Sequence, residues 1–296
     1  MSFLICALPE GSTLGLIAPA GPPTAGNLDK VPGLLQRHGY RAKVFPGCAG
    51  PAHLGFLAAS DEQRLADLHA AFADPEVDAV MSLRGGWGCA RLLDRIDAKL
   101  LKRHPKPLIG YSDITTLHGL RDRLGQPGWH APMPASDLLK SEADAQALFA
   151  QLRRGAQPGD VIAPGMAGHA LNQGVSVRGR LVGGNLSVYA ALLGTDWQPR
   201  VKGAILFLED VGETPYRVDR MLTQLRLAGV LDAAAGFLIG SFSEADSPDA
   251  VLADHLPQLG KPILAGWPSG HCSPNVALPL GVKAMLDVAQ RRLVLG

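Results

Sequence analysis

The amino-acid sequence predicts an α/β protein: an N-terminal domain built on a Rossmann-like, doubly wound parallel sheet, followed by a C-terminal domain of mixed α/β type. Three observations predict it. Short apolar runs alternate with amphipathic segments through the first half, and parallel strands need the crossovers that helices usually supply. A Gly- and Pro-rich stretch without periodicity then interrupts the pattern. Beyond it a second set of apolar runs begins. The expected division is residues 1–155, a linker over 156–175, and a second domain over 176–296.

The elements follow in order. "STLGLIAPAG" reads as a strand ending in a glycine turn, "LDKVPGLLQRHG" as a helix interrupted near Pro32, and "YRAKVFPG" as a second strand. "DEQRLADLHAAFADP" sets Leu65, Leu68 and Phe72 on one stripe, with Asp61 as the N-cap and Pro75 as the stop. "VDAVMSLRGG" and "KPLIGYS" are further strands, each followed by a helical pattern, and "SEADAQALFAQLRRG" is a helix. "AQPGDVIAPGMAGHALNQG" is the linker. "VSVRGRLVGG" then alternates as a half-buried strand does, "AILFLED" and "GFLIGSF" read as buried strands, and "YRVDRMLTQLRLAG" as an amphipathic helix.

Composition narrows the function. Of 296 residues 47% are apolar and 19% charged, with a net charge of +1, which suits a globular protein and offers no basic footprint for nucleic acid or anionic membrane. The expected partner is a small molecule or another protein. Cys6, Cys48, Cys89 and Cys272 are widely spaced and form no CxxC pair, so neither a zinc site nor a disulfide framework is expected, nor any other metal. The start lacks the basic residue and cleavage site of a signal peptide, and no apolar run approaches the roughly 18 to 20 residues that span a bilayer. A cytoplasmic, unanchored protein is expected.

Doubly wound sheets bind ligands outside the carboxyl ends of their strands, where "LRGGWG" and "IGYSD" both fall. Ser112 has the strand–turn–helix setting of a nucleophile elbow, although Ile114 stands where GxSxG has its second glycine. It also suits a helix N-cap, a part Asp113 could equally play. The glycines after Leu83 could present an N–H to an oxyanion or form a permissive turn. Glu209 and Asp210 end an apolar run, where a carboxylate could orient an imidazole or belong to a solvated loop; Glu213 is a third carboxylate nearby. His271 lies in the rigid turn "GWPSGHCSPN". Its neighbour Cys272 points the other way on an extended chain, which makes the two a poor nucleophile–base pair.

Taken together, "LGLIAPAGP", "SLRGGWG", "LIGYSDIT", "GRLVGGNLS", "LFLEDVGETPYRVDRML", "GWPSGH" and "LPLGVKAML" resemble the LD-carboxypeptidase family of serine peptidases, which includes murein tetrapeptide carboxypeptidases and microcin C immunity hydrolases. The resemblance implies Ser112 as nucleophile, His271 as general base and Glu209 as the residue that orients it, with the Gly86 and Asp113 N–H groups as the oxyanion hole. It implies an active site in the cleft between the domains, no cofactor and a homodimer. The implied substrate is a cytoplasmic muropeptide, cut between a diamino acid, meso-diaminopimelate, and terminal D-Ala. Arg84 and Arg217 are candidates for gripping substrate carboxylates.

Three alternatives stay open on sequence. A microcin C-type hydrolase of aminoacyl nucleotides would use the same triad and favour an aromatic base platform, for which Trp87, Trp129, Trp197 and Trp267 are available. A non-catalytic binding module would leave Ser112 as a cap. A cysteine hydrolase would use Cys89.

Overall fold

The computed structural model describes residues 4–296. In chain order the regular elements of the first half are β1 (Thr13–Ile17), α1 (Val31–Arg37), β2 (Arg41–Val44), α2 (Asp61–Ala73), β3 (Ala79–Ser82), α3 (Ala98–Arg103), β4 (Leu108–Ile109), α4 (Thr115–Arg123), β5 (Gly128–His130) and α5 (Glu142–Arg154). The rest are β6 (Val161–Ile162), β7 (Ser176–Asn185), α6 (Leu186–Ala191), β8 (Ile205–Val211), α7 (Pro215–Leu227), α8 (Val230–Ala233), β9 (Gly236–Ser243), α9 (Asp249–His255), β10 (Ile263–Leu264), β11 (Leu278–Leu280), β12 (Lys283–Asp287) and β13 (Arg292–Leu295).

Two sheets organise them. The first has the order β11-β5-β4-β3-β1-β2, with β2, β1, β3, β4 and β5 parallel. The order reverses between β1 and β3, so the ends of those two strands open a crevice, the usual ligand position in a doubly wound sheet. β1 is buried along its whole length, which explains its unbroken apolar run rather than an alternation. The second sheet has the order β10-β9-β8-β7-β12-β13-β6: parallel through β10, β9, β8 and β7, antiparallel beyond. Leu181, Ile205, Phe207 and Leu238 of this sheet pack into the same core as Leu16, Met81 and Trp129 of the first.

Local physics revises several expectations. Pro32 does not interrupt its helix; it sits in the first turn of α1, where a missing N–H removes no intrahelical bond. The cap of α2 is Ser60, whose Oγ accepts the Gln63 N–H at 3.2 Å, while Asp61 turns to Arg64 and Arg91. The 156–175 segment supplies β6, which pairs with β13. β11 leaves the C-terminal half and lies antiparallel on β5, so the first sheet is closed by residues 278–280.

Candidate active site

The strand ends converge on one cavity of about 470 Å³. Arg84, Gly85 and Gly86 after β3, Tyr111 and Ser112 after β4, and Met133, Ser136, Asp137 and Lys140 after β5 form one side. Thr24 and, from the second half, Val211, Glu244 and His271 complete the lining.

Ser112 follows directly on the glycine that ends β4, and the chain must reverse there to start α4. It does so with Ser112 at φ +61°, in the left-handed region that a residue with a Cβ rarely adopts. Such strain persists only when the surroundings over-determine it. Here the side chain fills the place a Gly85 Cβ would take: that atom would stand 2.7 Å from Ser112 Cβ and Oγ and 3.4 Å from the Asp113 nitrogen. Gly85, read from sequence only as one of two turn glycines, is thus what makes room for Ser112. Gly86 next to it has φ +110° and packs on Gly21.

Ser112 does not cap α4, and neither does Asp113. Asp113 is fully buried and its Oδ2 accepts the Cys89 N–H at 2.8 Å, tying the elbow to the segment after the glycine turn. Burial raises its carboxyl to about 6, against the pull of that hydrogen bond. On the far side of that turn the buried Arg64 guanidinium donates to the carbonyls of Pro19, Ala59 and Gly88.

Glu209 is delivered by β8 to the same place. It is completely buried, and Gly270 allows the close approach: a Cβ there would collide with the carboxylate. His271 donates to Glu209 Oε2 twice, from Nδ1 at 2.8 Å and from its backbone N–H at 3.2 Å. Burial pushes Glu209 upward, but the imidazoles of His130 and His271 outweigh it and hold the carboxyl down at about 2. Burial lowers His271, and the Glu209 carboxylate more than restores it, so its pKa ends above the ordinary value. With Nδ1 committed to Glu209, Nε2 is the nitrogen left for proton transfer. The hydrogen bonds of the site include none from Ser112 Oγ to His271, a contact that often tightens only with substrate bound.

The His271 turn is clamped from the other half of the chain. Asp144 of α5 accepts Ser273 Oγ at 2.8 Å and the Asn275 N–H at 3.1 Å, and Asn275 Oδ1 accepts the Gly270 N–H at 3.1 Å. A second bridge joins α4 to β7, where the Asn185 N–H donates to Thr115 Oγ1 at 3.0 Å. Asn185 also donates to Asp210 at 2.8 Å, so Asp210 serves the framework while Glu209 faces the imidazole.

The other candidates are sorted by position. Arg84 lines the cavity and donates to the Pro22 carbonyl at 3.0 Å, whereas Arg217 lies outside it, 3.4 Å from Glu213, which precedes α7. Cys89 is fully buried, its thiol pushed far up by burial and then by the Asp113 charge beside it. Burial raises Cys272 to about 11. None of Trp87, Trp129, Trp197 and Trp267 lines this cavity. Among the described residues no group of three or more His, Cys, Asp or Glu could hold a metal ion, and no helix is long and apolar enough to cross a membrane.

A two-sheet α/β fold with a buried carboxylate–imidazole pair facing a strained serine defines a hydrolase-like site, and comparison gives it a family. Residues 14–131 match the LD-carboxypeptidase N-terminal domain and residues 178–286 the LD-carboxypeptidase C-terminal domain. The chain belongs to the LD-carboxypeptidase family of peptidases. It is 38% identical over 308 residues to the Bacillus subtilis (strain 168) protein named "Probable murein peptide carboxypeptidase", covering 98% of this chain and 93% of that one. The crystal structure of muramoyltetrapeptide carboxypeptidase from Oxalobacter formigenes is similar at TM-score 0.86 and 32% identity, over 96% of this chain and 99% of the other. The microcin C7 self-immunity protein in complex with aspartyl sulfamoyl adenosine shares the fold, at TM-score 0.88 and 22% identity over 99% and 98% of the two chains.

Proposed function

We propose that this chain is a serine LD-carboxypeptidase that removes terminal D-Ala from a muramoyl tetrapeptide, cutting after a diamino acid such as meso-diaminopimelate, in cytoplasmic peptidoglycan recycling and as a homodimer. The observation that carries the reading is the 2.8 Å bond from His271 Nδ1 to a buried Glu209, opening on the cavity that Ser112 enters in a left-handed conformation.

In this reading His271 Nε2 takes the Ser112 proton as Oγ attacks the scissile carbonyl, and Glu209 stabilises the imidazolium that results. The Gly86 and Asp113 N–H groups receive the oxyanion, each such donor being worth on the order of 3 kcal/mol in the transition state. The C–N bond then breaks as the imidazolium protonates the leaving D-Ala amine. Water, deprotonated by the same imidazole, releases the acyl group from Ser112. Arg84 and Lys140 are the cationic groups of the cavity wall, suited to a substrate carboxylate. The muropeptide reading is favoured over an aminoacyl nucleotide because the Bacillus subtilis and Oxalobacter formigenes relatives, both above 30% identity, are named for murein or muramoyl peptides, whereas the microcin immunity protein shares the fold at 22% identity.

The test is mass spectrometry of a muramoyl tetrapeptide incubated with the purified protein, beside an aminoacyl sulfamoyl adenosine. Loss of one D-Ala from the peptide alone, abolished in Ser112→Ala, is expected. An intact tetrapeptide, or equal release by the serine variant, overturns the reading.

A further inference from the structure

Glu209 spends Oε2 on His271, yet its other oxygen, Oε1, is buried and accepts no hydrogen bond. The group facing it is His130, whose Nε2 stands 3.7 Å away, both side chains being fully shielded from solvent. Neither ring nitrogen of His130 has a hydrogen-bond partner. Orphaned buried donors and acceptors are costly, and here the orphans face one another less than 1 Å beyond hydrogen-bond length.

We propose that His130 is a positioning residue for the catalytic pair: its Nε2–H serves Glu209 Oε1, so that the carboxylate is gripped by one imidazole on each oxygen. This rests on the triad proposed above. The surroundings leave His130 little freedom to do anything else. It ends β5, paired with Leu278 of β11 on one side, while Trp129 before it pairs with Ile109 of β4. Its ring meets Tyr111 edge-on at 5.5 Å and Phe207 edge-on at 4.9 Å, and the Tyr111 ring also lies 4.7 Å from His271. One aromatic wall therefore bounds both imidazoles. The titratable groups facing His130 are Glu209, Tyr111 and, from α4, His118, which burial keeps neutral with a pKa lowered to about 3. The only acceptor among them that needs a donor is Glu209 Oε1. A carboxylate in so dry a site needs both partners to stay ionised, and two grips fix its plane where one would let it swing.

Two variants and one spectroscopic measurement test this. His130→Phe keeps a ring between Tyr111 and Phe207 but has no donor; His130→Gln restores an N–H. The phenylalanine variant should lose roughly ten- to a hundredfold in kcat with KM within twofold, and the ionisation of His271 seen in kcat/KM should move down; the glutamine variant should recover most of the loss. Phenylalanine activity within threefold of the parent, or no rescue by glutamine, overturns the proposal. Independently of any activity, 15N-histidine NMR of the parent protein should show His130 protonated at Nε2, with a resonance that shifts in folded Glu209→Gln. An Nδ1–H tautomer, or indifference to that substitution, refutes it even where tetrapeptide cleavage is found, and holds separately from the failure of Ser112 as nucleophile.

Discussion

Replacing Glu209 by Gln is the perturbation whose size the structure specifies best. The substitution keeps shape and volume in a fully buried site but removes the charge that holds His271 in its protonated form. Displacement of the carboxyl from 4.5 to about 2 corresponds to roughly 3 kcal/mol in favour of the ionised state, shared between His130 and His271. If that stabilisation is available to the imidazolium formed during attack, its loss lowers kcat about a hundredfold. The pH signature has a definite sign. Glu209, depressed, contributes stability present above 4.5 and lost as pH falls through about 2; His271, raised, contributes stability present below 6.5 and lost as pH rises through its folded value. The difference in Tm between parent and variant is therefore largest between pH 4.5 and 6.5. Activity runs the other way on His271, because only the neutral imidazole is a base: kcat/KM of the parent rises through an ionisation above 6.5, and in the variant that ionisation moves lower. The assay is continuous detection of released D-Ala with a D-amino acid oxidase couple, alongside thermal melts across the same pH range. A folded variant within threefold of the parent at pH 8, with its ionisation unmoved, would refute the coupling.

Two further substitutions probe the scaffold. Gly85→Ala sets a methyl 2.7 Å from Ser112 Cβ and Oγ, so turnover falls at least about a hundredfold for a stability loss of about 1–3 kcal/mol, read from D-Ala release and a denaturant melt. Asp144→Ala frees Ser273 and leaves the buried Asn275 N–H without its acceptor; about 1–3 kcal/mol of stability is lost, and kcat drops more than KM because the His271 turn loosens, which steady-state kinetics and a thermal melt report.

Much of this was legible in the sequence wherever one residue's environment is set by its neighbours in the chain. The apolar run before Glu209 foretells a buried strand, and β8 is buried from Ile205 to Asp210. The alternation of runs and amphipathic segments foretells the parallel first sheet, and the motif set points to the family that the comparisons give. What stayed hidden depends on partners far away in the chain. Nothing around "GWHAP" marks His130, because its significance comes from Glu209, which arrives on another sheet. Gly85 and Gly86 look alike locally, and only the path of Ser112 shows that the first yields its side-chain space to the nucleophile candidate. "LPLGV" carries the apolar character of a strand without naming its sheet, a choice made by the open edge of β5. Asp61 and Ser60 are both good caps, and the choice went to the serine because Arg64 and Arg91 claim the carboxylate.

The placement of β11 bears on how the molecule is made. Residues 278–280 cover an edge of β5 that would otherwise present unpaired backbone beside the future catalytic cavity, and exposed edges invite pairing with other chains. During synthesis the first sheet stays one strand short until residues 278–280 have been made. A product cut short before residue 278 would carry Ser112 on a sheet whose β5 edge is unpaired.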